Sequence, residues 1–174
     1  YTPGDEIRWI FNDDFEFGWK WCTPHAPKDL WHVQEAEDEP QVPYGEGERP
    51  PYSEALNGSQ FWACEKQHNG QWTYMNLMDN VLISPELSLY QAYAAKLVFW
   101  AYGSLAPDYD TLFVSVRRIV DGEPQEWETP YVVELLPGWN EYQLDLQPWL
   151  GPDSVIQIAF RFISDYYNEY GALG

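Results

Sequence analysis

Residues 154–164, SVIQIAFRFIS, carry a clear two-residue alternation. Read as an extended strand, they put Ile156, Ile158, Phe160 and Phe162 on one side, and Val155, Gln157, Ala159, Arg161 and Ile163 on the other. The first side is uniformly apolar and must face a core. Residues 112–120, LFVSVRRIV, alternate in part, with Leu112, Val114 and Val116 opposite Phe113, Ser115 and Arg117. Further strand-like segments lie at 59–64, 81–84 (ended by Pro85), 95–102, 131–135 and 141–146, with a turn at 121–124, DGEP. Residues 6–17 read as an opening strand broken by Gly18, and 30–33 as a short apolar segment. The one helical suggestion, 88–95, has the neighbours of a turn. Many short strands with Pro and Gly punctuation and no helical layer predict an all-β fold, a two-sheet antiparallel β-sandwich of the jelly-roll type.

A chain of 174 residues suits a single domain spanning 1–174. The stretch at about 34–56 is rich in Pro, Gly, Glu and Asp and reads as a long acidic surface loop. Asn57-Gly58-Ser59 reads as a turn. There are 28 acidic and 9 basic residues, for a formal net charge of −19. Such a surface repels nucleic acid and anionic membranes, both of which bind through Lys and Arg. No apolar run approaches the roughly 18 residues a membrane helix needs. The chain opens at Tyr1 without a signal-peptide pattern, as a processed product or a fragment would. Cys22 and Cys64 match no zinc spacing. Either they form one disulfide or both are buried thiols; a disulfide is the expectation, and it would place the protein outside the cell.

Nucleophile-elbow, phosphate-loop and HExxH motifs are absent, and His25, His32 and His68 are scattered. With 28 acids a glycosidase-like carboxylate pair can always be drawn, so acid abundance is no argument for catalysis. The acids suit Ca²⁺ better, because hard oxygen ligands can converge from a strand end and nearby loops. Asp14 and Glu16 fall on one side of the opening strand, and Asp79, Asp110 and Asp165 lie at loops that could complete a site. The plain alternative is a solvated acidic rim. Aromatics reach 18%, with ten Trp and thirteen Tyr. Trp9, Trp62, Phe99 and Trp100 sit in strand-like segments and read mostly as core. Tyr74 and Trp149 fall in loop-like segments, as do Trp31, Trp72 and Trp139, which are the candidates for a platform that stacks on sugar or anchors a protein.

The ordered set FNDDFEFGW, LWH, SQFWAC, NVLISPELSL, AKLVFWAY, DYDTLFVSV, EW, GWNEYQLDL and VIQIAFRFISD resembles the MAM-like jelly-roll modules of secreted bacterial and archaeal peptidases of the immune-inhibitor-A type. It is also similar to the cleaved-adhesin domains of gingipain-like proteases. The resemblance covers about Asn12 to Asp165 and implies a concanavalin-like or galactose-binding-like jelly roll. It further implies structural calcium, with opening-strand acids mapping onto Asp14 and Glu16. Family members follow the "sD" segment with a closing strand, whereas this chain continues YYNEYGALG. Either the sequence is cut there or another chain supplies the strand. The resulting expectation is a secreted, non-catalytic binding or adhesive accessory module. It would act on a protein or glycan surface, as part of a larger polypeptide or beside neighbouring subunits. A carbohydrate-binding module, and a structural subunit of a filament or surface layer, are the alternatives.

Overall fold

The computed structural model describes residues 10–11, 13, 21–23, 30–35, 60–64, 66–68, 71–103, 110–136 and 138–165, with the backbone alone at 34–35, 60–61, 66–68, 71–73 and 130. Along the chain the strands are β1 (Trp31–Glu35), β2 (Gln60–Cys64), β3 (Lys66–His68), β4 (Gln71–Thr73), β5 (Asp79–Ile83) and β6 (Leu87–Ser88). They continue with β7 (Lys96–Ala101), β8 (Thr111–Val120), β9 (Glu123–Pro124), β10 (Glu128–Val133), β11 (Asn140–Asp145) and β12 (Val155–Ile163). A 3-10 turn covers Gln147–Trp149. The fold is all-β, and among the described residues every strand pair is antiparallel.

One main sheet is six-stranded. Its path is β10-β8-β12-β5, with β6 also on β12 and β9 on β8. The other main sheet is the β7–β11 pair. The two meet face to face: Phe99 of β7 stacks on Tyr142 of β11, and its ring meets Phe160 of β12 edge-on at 4.9 Å. Between the layers lie Leu112, Val114 and Val116 of β8, Ile156, Ile158 and Phe162 of β12, and Tyr142 and Leu144 of β11. The inward faces of β8 and β12 are those the alternation predicts. Tyr74 and Trp149, read from sequence as loop aromatics, are buried in this core.

Three local features explain how the sheet is held. Asp121 and Gly122, at φ 53° and 82°, make the left-handed two-residue turn that returns β8 into β9; Gly adopts this region without the clash a Cβ brings. Between β5 and β6 the chain has one residue more than its partner β12, a bulge at Ser84, Pro85 and Glu86. There the Ser84 hydroxyl accepts the Ile158 N–H at 2.9 Å, bridging the ladder just before Pro85, which has no N–H to offer. At the end of the 3-10 turn, Arg118 Nη1 and Nη2 donate to the carbonyls of Trp149 and Pro148.

The expected disulfide is not formed; Cys22 and Cys64 are free thiols. Cys22 pairs its backbone with Ile83 at the edge of β5, so its exposed side chain lies on the Ile83 side of the sheet. Cys64 is buried on the opposite side, where it accepts a 3.6 Å contact from Asn80 Nδ2. Ile83 and Asn80 are three strand positions apart, about 10 Å, and project to opposite faces. Separations beyond about 7 Å between Cα atoms cannot be bridged without moving the backbone.

Other expectations fall partly outside the described residues. In the opening segment only Ile10, Phe11 and Asp13 are described, and none is in a strand. The predicted loop at 34–56 loses Gln34 and Glu35 to β1 and otherwise lies outside the description, as does 166–174, where a closing strand was sought. Among the described residues no helix is long and apolar enough to cross a membrane.

Candidate functional site

The register of β8 against β12 pairs Thr111 with Ile163, which places Asp110 and Asp165 together at one end of the six-stranded sheet. Asp110 is only 7% exposed. Its Oδ2 accepts the Tyr74 hydroxyl, and its Oδ1 accepts the Asp165 N–H at 3.0 Å. The Asp165 carbonyl accepts the Leu77 N–H, and Ser164 Oγ accepts the Met78 N–H while donating to the Met75 carbonyl. The turn before β5 is thereby fastened to the end of β12, although it carries Leu77 at φ 56°, a left-handed conformation costly for a branched residue. The "sD" residues of the sequence motif are thus the anchor of this strand end.

As a calcium cradle this end is incomplete among the described residues. Ca²⁺ takes about six to eight oxygens, and no group of three or more His, Cys, Asp or Glu side chains that could hold a metal occurs among the described residues. Of the sequence candidates this end brings together Asp110 and Asp165, with both Asp110 oxygens already accepting hydrogen bonds. Asp14 and Glu16 lie outside the described residues. Asp79 does not fit. Its two oxygens each accept an Arg161 N–H at 2.7 Å on the outer face of the sheet, and a guanidinium already in place competes with any cation.

The hydrogen bonds from Arg161 hold the Asp79 carboxyl below the ordinary aspartate value of 3.8, with burial opposing. A depressed folded-state value means the contribution is present above the unfolded value and is lost as the pH falls through the folded one. Because Asp79 is 55% exposed, solvent screening keeps its worth at about 0.5 kcal/mol. Asp79→Asn is therefore expected to lower the urea midpoint slightly at neutral pH, and the gap from the native chain should close in acid below 3.8. Midpoints measured on both proteins across that range check this.

The aromatic candidates disperse. Trp31 packs against the core from β1, and Trp139 meets Tyr102 edge-on at 5.8 Å near the far end of β7. Trp72 lies on β4 with its side chain outside the description. Trp100, read from sequence as core, is 44% exposed and Val98 is 37% exposed. The cause is pairing: Trp100 opposes Glu141, Val98 opposes Gln143 and Lys96 opposes Asp145, so all six occupy the outer face of the β7–β11 ribbon. Alongside the apolar pair runs a fixed polar string, in which Lys96 Nζ donates to Gln143 Oε1 at 2.9 Å and Gln143 Nε2 donates to Glu141 Oε1 at 2.5 Å. This face offers an indole surface beside oriented donors and acceptors. The alternation of EYQLD in β11 was the available signal for it.

No protein-family model matches the chain, and neither does any curated protein sequence. Among solved structures, the enzymatically active domain of bacteriophage CBA120 tailspike protein 4 is similar at 16% identity with a TM-score of 0.47, over 88% of this chain and 18% of that one. At that identity and score the likeness says nothing of what this chain binds or does.

Proposed function

We propose that the chain is a non-catalytic binding or adhesive module of a secreted protein, and that it meets its partner through the outer face of the β7–β11 ribbon. The observation that carries this reading is Trp100, a large aromatic 44% exposed on a strand rather than on a loop, next to Val98. A ring held on a sheet loses little entropy on binding and supplies stacking area. The adjoining Lys96–Gln143–Glu141 string favours a glycan, whose hydroxyls take such groups while a ring face lies on the indole. Kinship with the MAM-like modules is supported by the ordered motifs, and placement outside the cell rests on that kinship. The cysteines, being unbridged, lend it nothing.

Affinity electrophoresis against a panel of neutral polysaccharides tests the site. The native chain should be retarded by at least one, and Trp100→Ala should weaken that retardation about tenfold or more, the loss of one stacking contact. Retardation that survives Trp100→Ala would remove the face from the proposal.

A structural calcium ion belongs to the same reading, held by Asp110 and Asp165 with Asp14 and Glu16. The excess of acids over bases supports it. The chemistry it would supply is charge neutralisation where strand ends converge. Calcium at about a hundredfold excess over its Kd would add about 2.7 kcal/mol, so the native chain should melt several degrees higher in millimolar calcium than in EDTA. Equal melting temperatures would dismiss the ion and leave the Trp100 test standing.

A further inference from the structure

The outer face of the six-stranded sheet carries a second, differently built cluster. Arg117 on β8 opposes Gln157 on β12. Arg117 Nε and Nη2 both donate to Gln157 Oε1, at 3.0 and 2.6 Å, and the guanidinium lies over the Trp127 ring, 4.2 Å from its centroid. Gln157 is fixed in turn, its Nε2 donating to the Ser84 carbonyl at 3.2 Å. The guanidinium plane is therefore set from below by the ring and from one edge by an amide that cannot itself swing away.

The other arginines of these two strands are engaged differently: one has a carboxylate for its charge, the other has acceptors on both terminal nitrogens. Arg161 grips Asp79 with Nε and Nη2, and Arg118 gives Nη1 and Nη2 to two carbonyls. Arg117 combines what neither of them does: a neutral acceptor in place of a carboxylate, and an Nη1 that this acceptor does not reach. The second edge of the planar fork, Nη1 with the remaining Nη2 hydrogen, presents two parallel N–H groups matched to a carboxylate. With 28 acidic residues in the chain, a guanidinium needing only a structural counter-ion has many to draw on. Both Arg117 and Trp127 are half-buried, and the hydroxyl of Thr129, an exposed residue of β10, is oriented by Ser115 Oγ at 3.1 Å.

We infer that Arg117, Trp127 and Gln157 form a binding site for a single carboxylate carried on a sugar ring, a uronic acid residue. The free guanidinium edge takes the carboxylate, the Trp127 indole lines the ring carbons, and Thr129 meets a ring hydroxyl. The net charge of −19 opposes a polyanion and selects an isolated acidic residue in an otherwise neutral glycan. This site is independent of Trp100, which lies on the other sheet.

The test is an NMR titration that follows the Arg117 Nε–H and Trp127 Nε1–H signals with sodium glucuronate, glucose and acetate. Glucuronate should shift both saturably in the millimolar range, glucose should not, and acetate should bind more weakly. Arg117→Lys, which keeps the charge but loses the fork, should weaken glucuronate about tenfold or more. Trp127→Phe should weaken it less while keeping the fold, and Trp100→Ala should leave it unchanged. Glucose matching glucuronate, or Arg117→Lys binding as the native chain does, overturns the site. Acetate matching glucuronate overturns the sugar assignment.

Discussion

Replacing Phe162 by Ala is expected to remove about 3–5 kcal/mol of stability, the range for truncating a fully buried aromatic side chain. Phe162 is 0% exposed and lies near the end of β12, where its ring meets Tyr74 edge-on at 4.9 Å. Deleting it leaves a void that β12 cannot close, because the strand is held on one side by β8 and on the other by β5. It also removes an edge-on ring contact of Tyr74 just where Tyr74 holds its hydroxyl on Asp110. For a chain of this size each kcal/mol moves the melting temperature by about 2–4 °C, so a fall on the order of 10 °C should appear in a thermal scan. Phe162→Leu should cost less than half as much. Val132→Ala, at an exposed position of β10, should change stability by under about 0.5 kcal/mol. A Phe162→Ala protein that melts within 2 °C or so of the native chain would show that the core is not assembled as described.

Asp110→Ala is the second large effect, at roughly 2–4 kcal/mol. Its mechanism is different, since no cavity of consequence is made. The loss comes from two donors deprived of their Asp110 acceptor: the buried Tyr74 hydroxyl and the Asp165 N–H. Tyr74 dominates, because Asp165 is half-buried and water can reach it. A double-mutant cycle isolates the pair. Tyr74→Phe alone should cost about 1 kcal/mol, and Asp110→Ala made in the Tyr74→Phe background should cost about 1–2 kcal/mol less than in the native chain. Additive losses in urea unfolding would mean the pair is not coupled. The same variant should also abolish any rise in melting temperature from calcium, which links this strand end to the proposed ion.

These two residues also divide what could be read in advance. Phe162 was legible as core because SVIQIAFRFIS alternates in polarity, and a strand with one uniformly apolar face has one way to bury it. The turn at Asp121-Gly122 was legible because its backbone conformation admits few residue types. The pairing of β3 with β4 was equally legible, since His68 stands opposite Gln71 and Asn-Gly between two strands is the strongest short hairpin signal. In β7 the sequence KLVFWA is apolar at five successive positions, so its own pattern cannot say which side faces water. Its partner β11 decides: Trp100 goes to the outside because it stands opposite Glu141.

Sequence alone determined the all-β class, the inward faces of β8 and β12, and a formal net charge of −19, for each follows from local periodicity or from summed charge. Tertiary structure decided everything that depends on which distant positions meet. Asp110 and Asp165, 55 residues apart, meet because β8 and β12 are antiparallel neighbours in one register. Cys22 and Cys64 stay apart because they occupy opposite faces near one strand. Trp31 is drawn to the core while Trp100 is turned out. A pairing register is fixed by the packing of whole sheets, and a shift of one residue would exchange every face, so no single segment contains that information.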